Sequence, residues 1–120
     1  MKVLLVDDEE QLVSALAERL ALRGIEASWV SNCIDAQAQA EIGKFDIAVL
    51  DVKMPKMSGF ELKKLLEVKS PGMKFIYVTG HGSATDFEIG AMEGGGAFYL
   101  VKPVKIEVLI EKMNEVMKVT

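Results

Sequence analysis

Five short apolar runs, each followed by a longer stretch of helical period, constrain this chain more than any other feature. The runs are Val3 to Val6, Ala27 to Val30, Ile47 to Leu50, Phe75 to Val78 and Ala97 to Val101. Most are continuously apolar instead of alternating, which is the pattern of strands buried on both faces of a parallel sheet. Parallel neighbours need crossover connections, usually helices, so the chain reads as βα repeated five times: an α/β, doubly wound parallel sheet with helices on both faces. With 120 residues there is room for one such domain, 1–120, and 50% hydrophobic residues let it hold a core unaided.

The segments between the runs carry start and stop signals. Leu12, Leu16 and Leu20, with Ala15 beside them, give the first helix an apolar face that ends near Gly24. Glu9 and Glu10 open it, where negative charge complements the helix dipole. Ser58 and Glu61 have capping-box spacing ahead of Leu62, Leu65 and Leu66, and Pro71 with Gly72 closes that unit. Ile106, Leu109, Ile110, Met113, Val116 and Met117 share one face of the last helix, preceded by Pro103. The fourth helix, expected over Ala84 to Glu93, is the weakest, because Gly90 lies inside it and Gly94 to Gly96 follow. Trp29, Phe45, Phe60, Phe75 and Phe98 lie in or beside apolar segments and are expected in the core.

Charge and cysteine usage narrow the function. The net charge of -4 is the opposite of a nucleic-acid-binding footprint. A lone cysteine, Cys33, has no intrachain disulfide partner, which fits a reducing compartment. The first apolar stretch stops at Asp7, short of a signal-peptide core of about 7 to 15 residues, and no run approaches the roughly 20 residues of a membrane span. A cytoplasmic protein without membrane contact is expected.

Open parallel sheets bind ligands at the carboxyl ends of their strands. The residues there are Asp7 and Asp8 after the first run, Asp51 after the third, Thr79 after the fourth and Lys102 after the fifth. Taken singly, each has an ordinary reading as a cap, turn or loop residue. Together, three carboxylates on one edge require a cation, and oxygen-only ligation suits magnesium. A carboxylate can also attack phosphorus to form an acyl phosphate where positive charge and donors surround the transferring group, and Lys102 and Thr79 could supply these. The Lys102–Pro103 peptide is expected to be cis, since Lys102 must turn back toward Asp51. Cys33 reads as structural, and His81, the only histidine, as a loop residue at the rim of the site.

At this point the residues resemble the receiver domains of bacterial two-component response regulators, and the resemblance runs from Met1 to the final helix. It is carried by Val6-Asp7-Asp8-Glu9, by Leu50-Asp51-Val52-Lys53-Met54-Pro55 with Met57-Ser58-Gly59, by Val78-Thr79-Gly80-His81-Gly82, and by Phe98-Tyr99-Leu100-Val101-Lys102-Pro103. It implies a flavodoxin-like (βα)5 sandwich with strand order 2-1-3-4-5. It implies Asp51 as phosphoacceptor, and magnesium held by Asp7, Asp8, Asp51 and the backbone carbonyl of Lys53. It further implies Thr79 and Lys102 as phosphoryl contacts and Tyr99 as the switch aromatic. The expected function is a switch, not a turnover enzyme: a histidine kinase or histidine phosphotransfer protein donates the phosphoryl group, and the face around the fifth strand then changes for a downstream protein or an output domain. A monomer or a phosphorylation-dependent dimer fits that role. Two other classes stand beside it. A magnesium-dependent phosphohydrolase would need an acid or base to activate water, for which only His81 is nearby. A flavin- or nucleotide-binding module would need a phosphate-friendly loop where Asp7 to Glu10 would instead repel phosphate.

Overall fold

The computed structural model describes residues 1–80 and 98–118. The expected fourth helix, His81 and the side chain of Phe98 lie outside the described residues. The elements are β1 (Lys2–Val6), α1 (Glu10–Leu22), β2 (Glu26–Val30), α2 (Cys33–Ile42), β3 (Ile47–Asp51), α3 (Gly59–Lys69), β4 (Lys74–Thr79), β5 (Phe98–Val101) and α4 (Ile106–Lys118). All four strand pairings are parallel, in the order β2-β1-β3-β4-β5. This is the flavodoxin-like arrangement.

Strand period divides the core into two layers. Val3, Leu5, Ile47, Val49, Ile76 and Val78 face α1 and α4, packing on Val13, Leu16, Leu20, Leu109 and Met113. Leu4, Val6, Ala48, Leu50, Phe75 and Tyr77 face α2 and α3, packing on Ala36, Phe60, Leu62 and Leu66. Burying each large side chain contributes about 1.5–3 kcal/mol, so the central strands, covered on both faces, anchor the sheet.

The caps are those the sequence specifies. Ser58 Oγ accepts from Glu61 N–H at 3.2 Å. At the end of α1, Gly24 N–H donates to Ala21 C=O and Ile25 N–H to Leu20 C=O, both at 3.0 Å, with Gly24 at φ 78°. That is a Schellman motif, and glycine supplies the left-handed residue it needs. The Lys102–Pro103 peptide is cis, as expected.

Several packing expectations shift. The buried stripe of α1 is Val13, Leu16, Ala17 and Leu20, with Leu12 and Ala15 at its half-buried margin. Leu65 and Met117 lie at the outer margins of their helices. Phe45, Phe60 and Phe75 are buried, but Trp29 is 40% exposed. Strand β2 is the sheet edge and only its last residue, Val30, is buried, so an apolar residue there need not reach the core. No helix among the described residues is long and apolar enough to cross a membrane.

Candidate functional site

Backbone ladders run up to the carboxyl edge and aim its side chains. Asp7 N–H donates to Val30 C=O at 3.2 Å, Val52 N–H to Val78 C=O at 3.0 Å, and Lys102 N–H to Thr79 C=O at 2.8 Å. Asp51 and Thr79 are themselves the last residues of β3 and β4, so each sits on rigid strand. The edge therefore brings together Asp7, Asp8, Asp51, Thr79 and Lys102, as the sequence anticipates.

One carboxylate oxygen from each of Asp7, Asp8 and Asp51 lies within 4.8 Å of the others. Asp7 and Asp51 are buried, and Asp8 faces solvent. Asp7 Oδ1 also accepts Glu9 N–H at 2.9 Å, so Asp7 shapes the turn into α1 as well as the cluster. Lys102 Nζ lies 2.9 Å from Asp7 Oδ2, 2.6 Å from Glu9 Oε1 and 3.7 Å from Asp51 Oδ2. Burial alone would lower the Lys102 pKa, but the Glu9 and Asp7 carboxylates outweigh it and raise it above the ordinary lysine range. The Asp51 carboxyl is pushed up to about 7, first by burial, then by the charge of Asp7, with Lys102 opposing and Asp8 adding to the rise. One ammonium does not balance this many carboxylates.

The donor set fits a hard divalent cation. It offers converging oxygens only, and the raised Asp51 pKa, due first to burial and then to the charge of Asp7, marks an anion that a bound cation would stabilise. Thr79 is 1% exposed and its Oγ1 has no hydrogen-bond partner among the described residues. A buried hydroxyl left this way is costly unless a ligand atom completes it. A groove of about 620 Å³ runs from Asp8 along Asn32, Ile34, Met54 and Met57, so the cluster is open to solvent on its Asp8 side.

Tyr99 is half-buried on the face it shares with Tyr77. Their rings stack at 5.2 Å, and Tyr77 meets Phe60 edge-on at 4.7 Å. Thr79 lies two residues beyond Tyr77 and so on the same side of β4. Lys53 is exposed in the turn after β3. Cys33 donates to Met57 C=O at 3.9 Å, and burial followed by the nearby Glu61 raises its thiol pKa, so it is a packed residue with no nucleophilic activation.

A scan against family models matches response regulator receiver domain over residues 3–114. The chain belongs to the receiver-domain family of response regulators. Among curated relatives, this receiver domain is 36% identical to response regulator protein FleR of Pseudomonas aeruginosa over 92% of its own length and 23% of the relative's. It is 36% identical to sensory transduction protein RegX3 of Mycolicibacterium smegmatis, over 97% of its length and 50% of the relative's. The receiver domain thus spans half or less of these two relatives. A CheY-like response regulator receiver domain protein of Methanospirillum hungatei superposes with a TM-score of 0.83 at 32% identity, covering 95% of this chain and 90% of that one.

Two features of this receiver domain escape the sequence reading. Lys56, next to Pro55 in the β3–α3 turn, has φ 72°, and Met57 N–H donates to Pro55 C=O at 2.9 Å around it. A three-residue turn with positive φ at its centre is rare and strained for a residue with a Cβ. Lys56→Gly should therefore stabilise the fold by about 0.5–1 kcal/mol, after allowing for glycine's greater freedom in the unfolded chain. Urea melts of the two proteins read this directly; an unchanged or lower midpoint would show that the turn is not strained. The second feature is the Glu9 side chain, which crosses to Lys102 and makes no hydrogen bond to its own helix terminus.

Proposed function

We propose that residues 1–120 act as one phosphoacceptor switch of a two-component system, with Asp51 the acceptor. The observation that carries this reading is the convergence of Asp7, Asp8 and Asp51 with a lysine and a buried threonine hydroxyl, without a partner among the described residues, on a single strand edge. In this reading the donor is a phosphohistidine of a histidine kinase or phosphotransfer protein. An Asp51 oxygen attacks phosphorus, the phosphorus–nitrogen bond breaks with its electron pair staying on the imidazole, and an acyl phosphate remains on Asp51.

Asp7, Asp8, Asp51 and the Lys53 carbonyl would hold magnesium, which when bound neutralises charge on the transferring group. The chain's own residues do the rest. Lys102 is the cation already beside the acceptor and turns to a phosphoryl oxygen. Thr79 donates its hydroxyl to another, a hydrogen bond that no group among the described residues supplies. As that hydroxyl moves toward Asp51 it leaves room on the face that Thr79 shares with Tyr99. Tyr99 then shifts against its Tyr77 stack, and the surface around β5 changes for a downstream protein or an output domain. The module catalyses only its own phosphorylation and dephosphorylation.

Treatment with acetyl phosphate and magnesium should give one phosphoryl adduct by intact-mass spectrometry, and Asp51→Asn should abolish it while the circular dichroism spectrum is kept. An adduct that persists in a folded Asp51→Asn variant would overturn the assignment.

A further inference from the structure

Glu9 occupies the N-cap position of α1, yet its side chain does not cap the helix. It reaches a lysine 93 positions away, with Oε1 2.6 Å from Lys102 Nζ. The Lys102 side chain is 14% exposed, and its ammonium sits closer to Glu9 and Asp7 than to Asp51, which at 3.7 Å is beyond hydrogen-bond distance. The Glu9 side chain is 62% exposed, so this is not an ion pair locked in the interior. A contact of that kind is worth little to stability and is readily exchanged for a stronger one.

We propose that Glu9 is a latch on Lys102: its carboxylate draws the ammonium away from the acceptor carboxylate and competes with the incoming phosphoryl group for it. The latch rests on the reading of Asp51 as phosphoacceptor. Glu9 is a positioning residue, since it acts through Lys102. Two consequences follow from the geometry. Until the phosphoryl group arrives, Lys102 is kept out of the direct pairing that would neutralise Asp51. Once it arrives, Lys102 must leave Glu9, so the stability of the phosphorylated state is reduced by the lost ion pair.

The side-chain length of Glu9 is what makes this testable. Glu9→Gln removes the charge. Glu9→Asp keeps it but is one methylene shorter, and a shorter carboxylate at an N-cap turns to its own helix N–H groups. Both variants should release Lys102, whereas a mere effect of charge near the site would appear only in Glu9→Gln.

The probe is beryllofluoride with magnesium, titrated into the chain and its variants. Both substitutions should tighten beryllofluoride binding about one-and-a-half- to fivefold, the range set by an exposed ion pair. In a Lys102→Ala background, Glu9→Gln should give no further gain. Unchanged or weaker binding in Glu9→Gln would overturn the latch, as would wild-type behaviour in Glu9→Asp or a full gain without Lys102. A second readout needs no phosphoryl chemistry: the ¹⁵N resonance of the Lys102 ammonium in magnesium-free protein should move in both variants. If it does not, the latch is wrong whatever beryllofluoride does. If the wild-type chain fails to bind beryllofluoride at all, the phosphoacceptor reading falls, and the resonance alone then decides the ion pair.

Discussion

In chelator-treated protein, Asp51→Asn should raise the thermal midpoint at about pH 8 and remove most of the stability lost between about pH 4 and pH 7. The sign follows from where the proton binds more tightly. The Asp51 carboxyl titrates near 7 in the folded chain against an ordinary value of 3.8, raised first by burial and then by Asp7. The folded state therefore holds this proton better than the unfolded state. Its contribution is complete below the ordinary carboxyl pKa and is lost as pH rises through about 7. Three pKa units correspond to roughly 4 kcal/mol as an upper bound. For a domain of this size, that bound allows a rise on the order of 10 °C. Magnesium added to the wild type at the higher pH should restore much of the loss by mass action and should do little for Asp51→Asn. Differential scanning calorimetry across the pH range, with and without magnesium, measures both effects. Parallel pH profiles for wild type and variant would show that Asp51 carries no such penalty. The burial and carboxylate crowding that would destabilise the metal-free fold would also make the edge receptive to a cation.

What the sequence discloses and what it conceals follow from the range of the interactions involved. Strands β1, β3 and β4 are legible because burial on both faces forces uninterrupted apolar runs, such as Ile47 to Leu50. The Ser58–Glu61 cap and the stop at Gly24 are legible because they are written within a few residues. Asp7, Asp8, Asp51, Thr79 and Lys102 are legible as neighbours because each directly ends or follows a strand, and a parallel sheet aligns those ends. Trp29 misleads: its composition suits a core strand, but β2 is an edge, and the strand order that makes it one came only from the family resemblance. The Glu9 contact with Lys102 has no signature in spacing, since it depends on how the turn after β1 leans toward the end of β5. The strain at Lys56 is hidden for another reason: the turn favours a glycine-like residue there, and the sequence offers lysine. The one clue was the turn-forming Pro55 beside it.

Gly59→Ala should be the most damaging conservative substitution near the site. The residue opens α3 and belongs to the Met57-Ser58-Gly59 stretch, yet its importance comes from contact and not from backbone freedom. A Cβ at this position would stand 2.4 Å from the Asp51 carbonyl oxygen, 3.1 Å from its carbonyl carbon and 3.2 Å from Val52 Cα. All three are backbone atoms, so no side chain can swing aside. Gly59 N–H also donates to Val52 C=O at 3.0 Å, which ties the helix start to the residue after Asp51. Relief must come by pushing α3 away from β3, by displacing Asp51, or by both. Overpacking of this kind costs about 1–3 kcal/mol and reaches the upper end where only backbone can yield. Alanine's better helix propensity returns little at the first position of a helix. Gly72→Ala is the control, because nothing lies within 4 Å of a Cβ there. Gly59→Ala should thus lose about 3 kcal/mol in urea unfolding while Gly72→Ala stays within about 0.5 kcal/mol of wild type. If Asp51 is the acceptor as proposed, the folded fraction of Gly59→Ala should also take up phosphoryl from acetyl phosphate more slowly, since the Asp51 carboxylate would be displaced relative to Asp7 and Lys102. Equal stability of the two variants would mean that α3 shifts freely, and an unchanged phosphorylation rate would mean that it does so without carrying Asp51 with it.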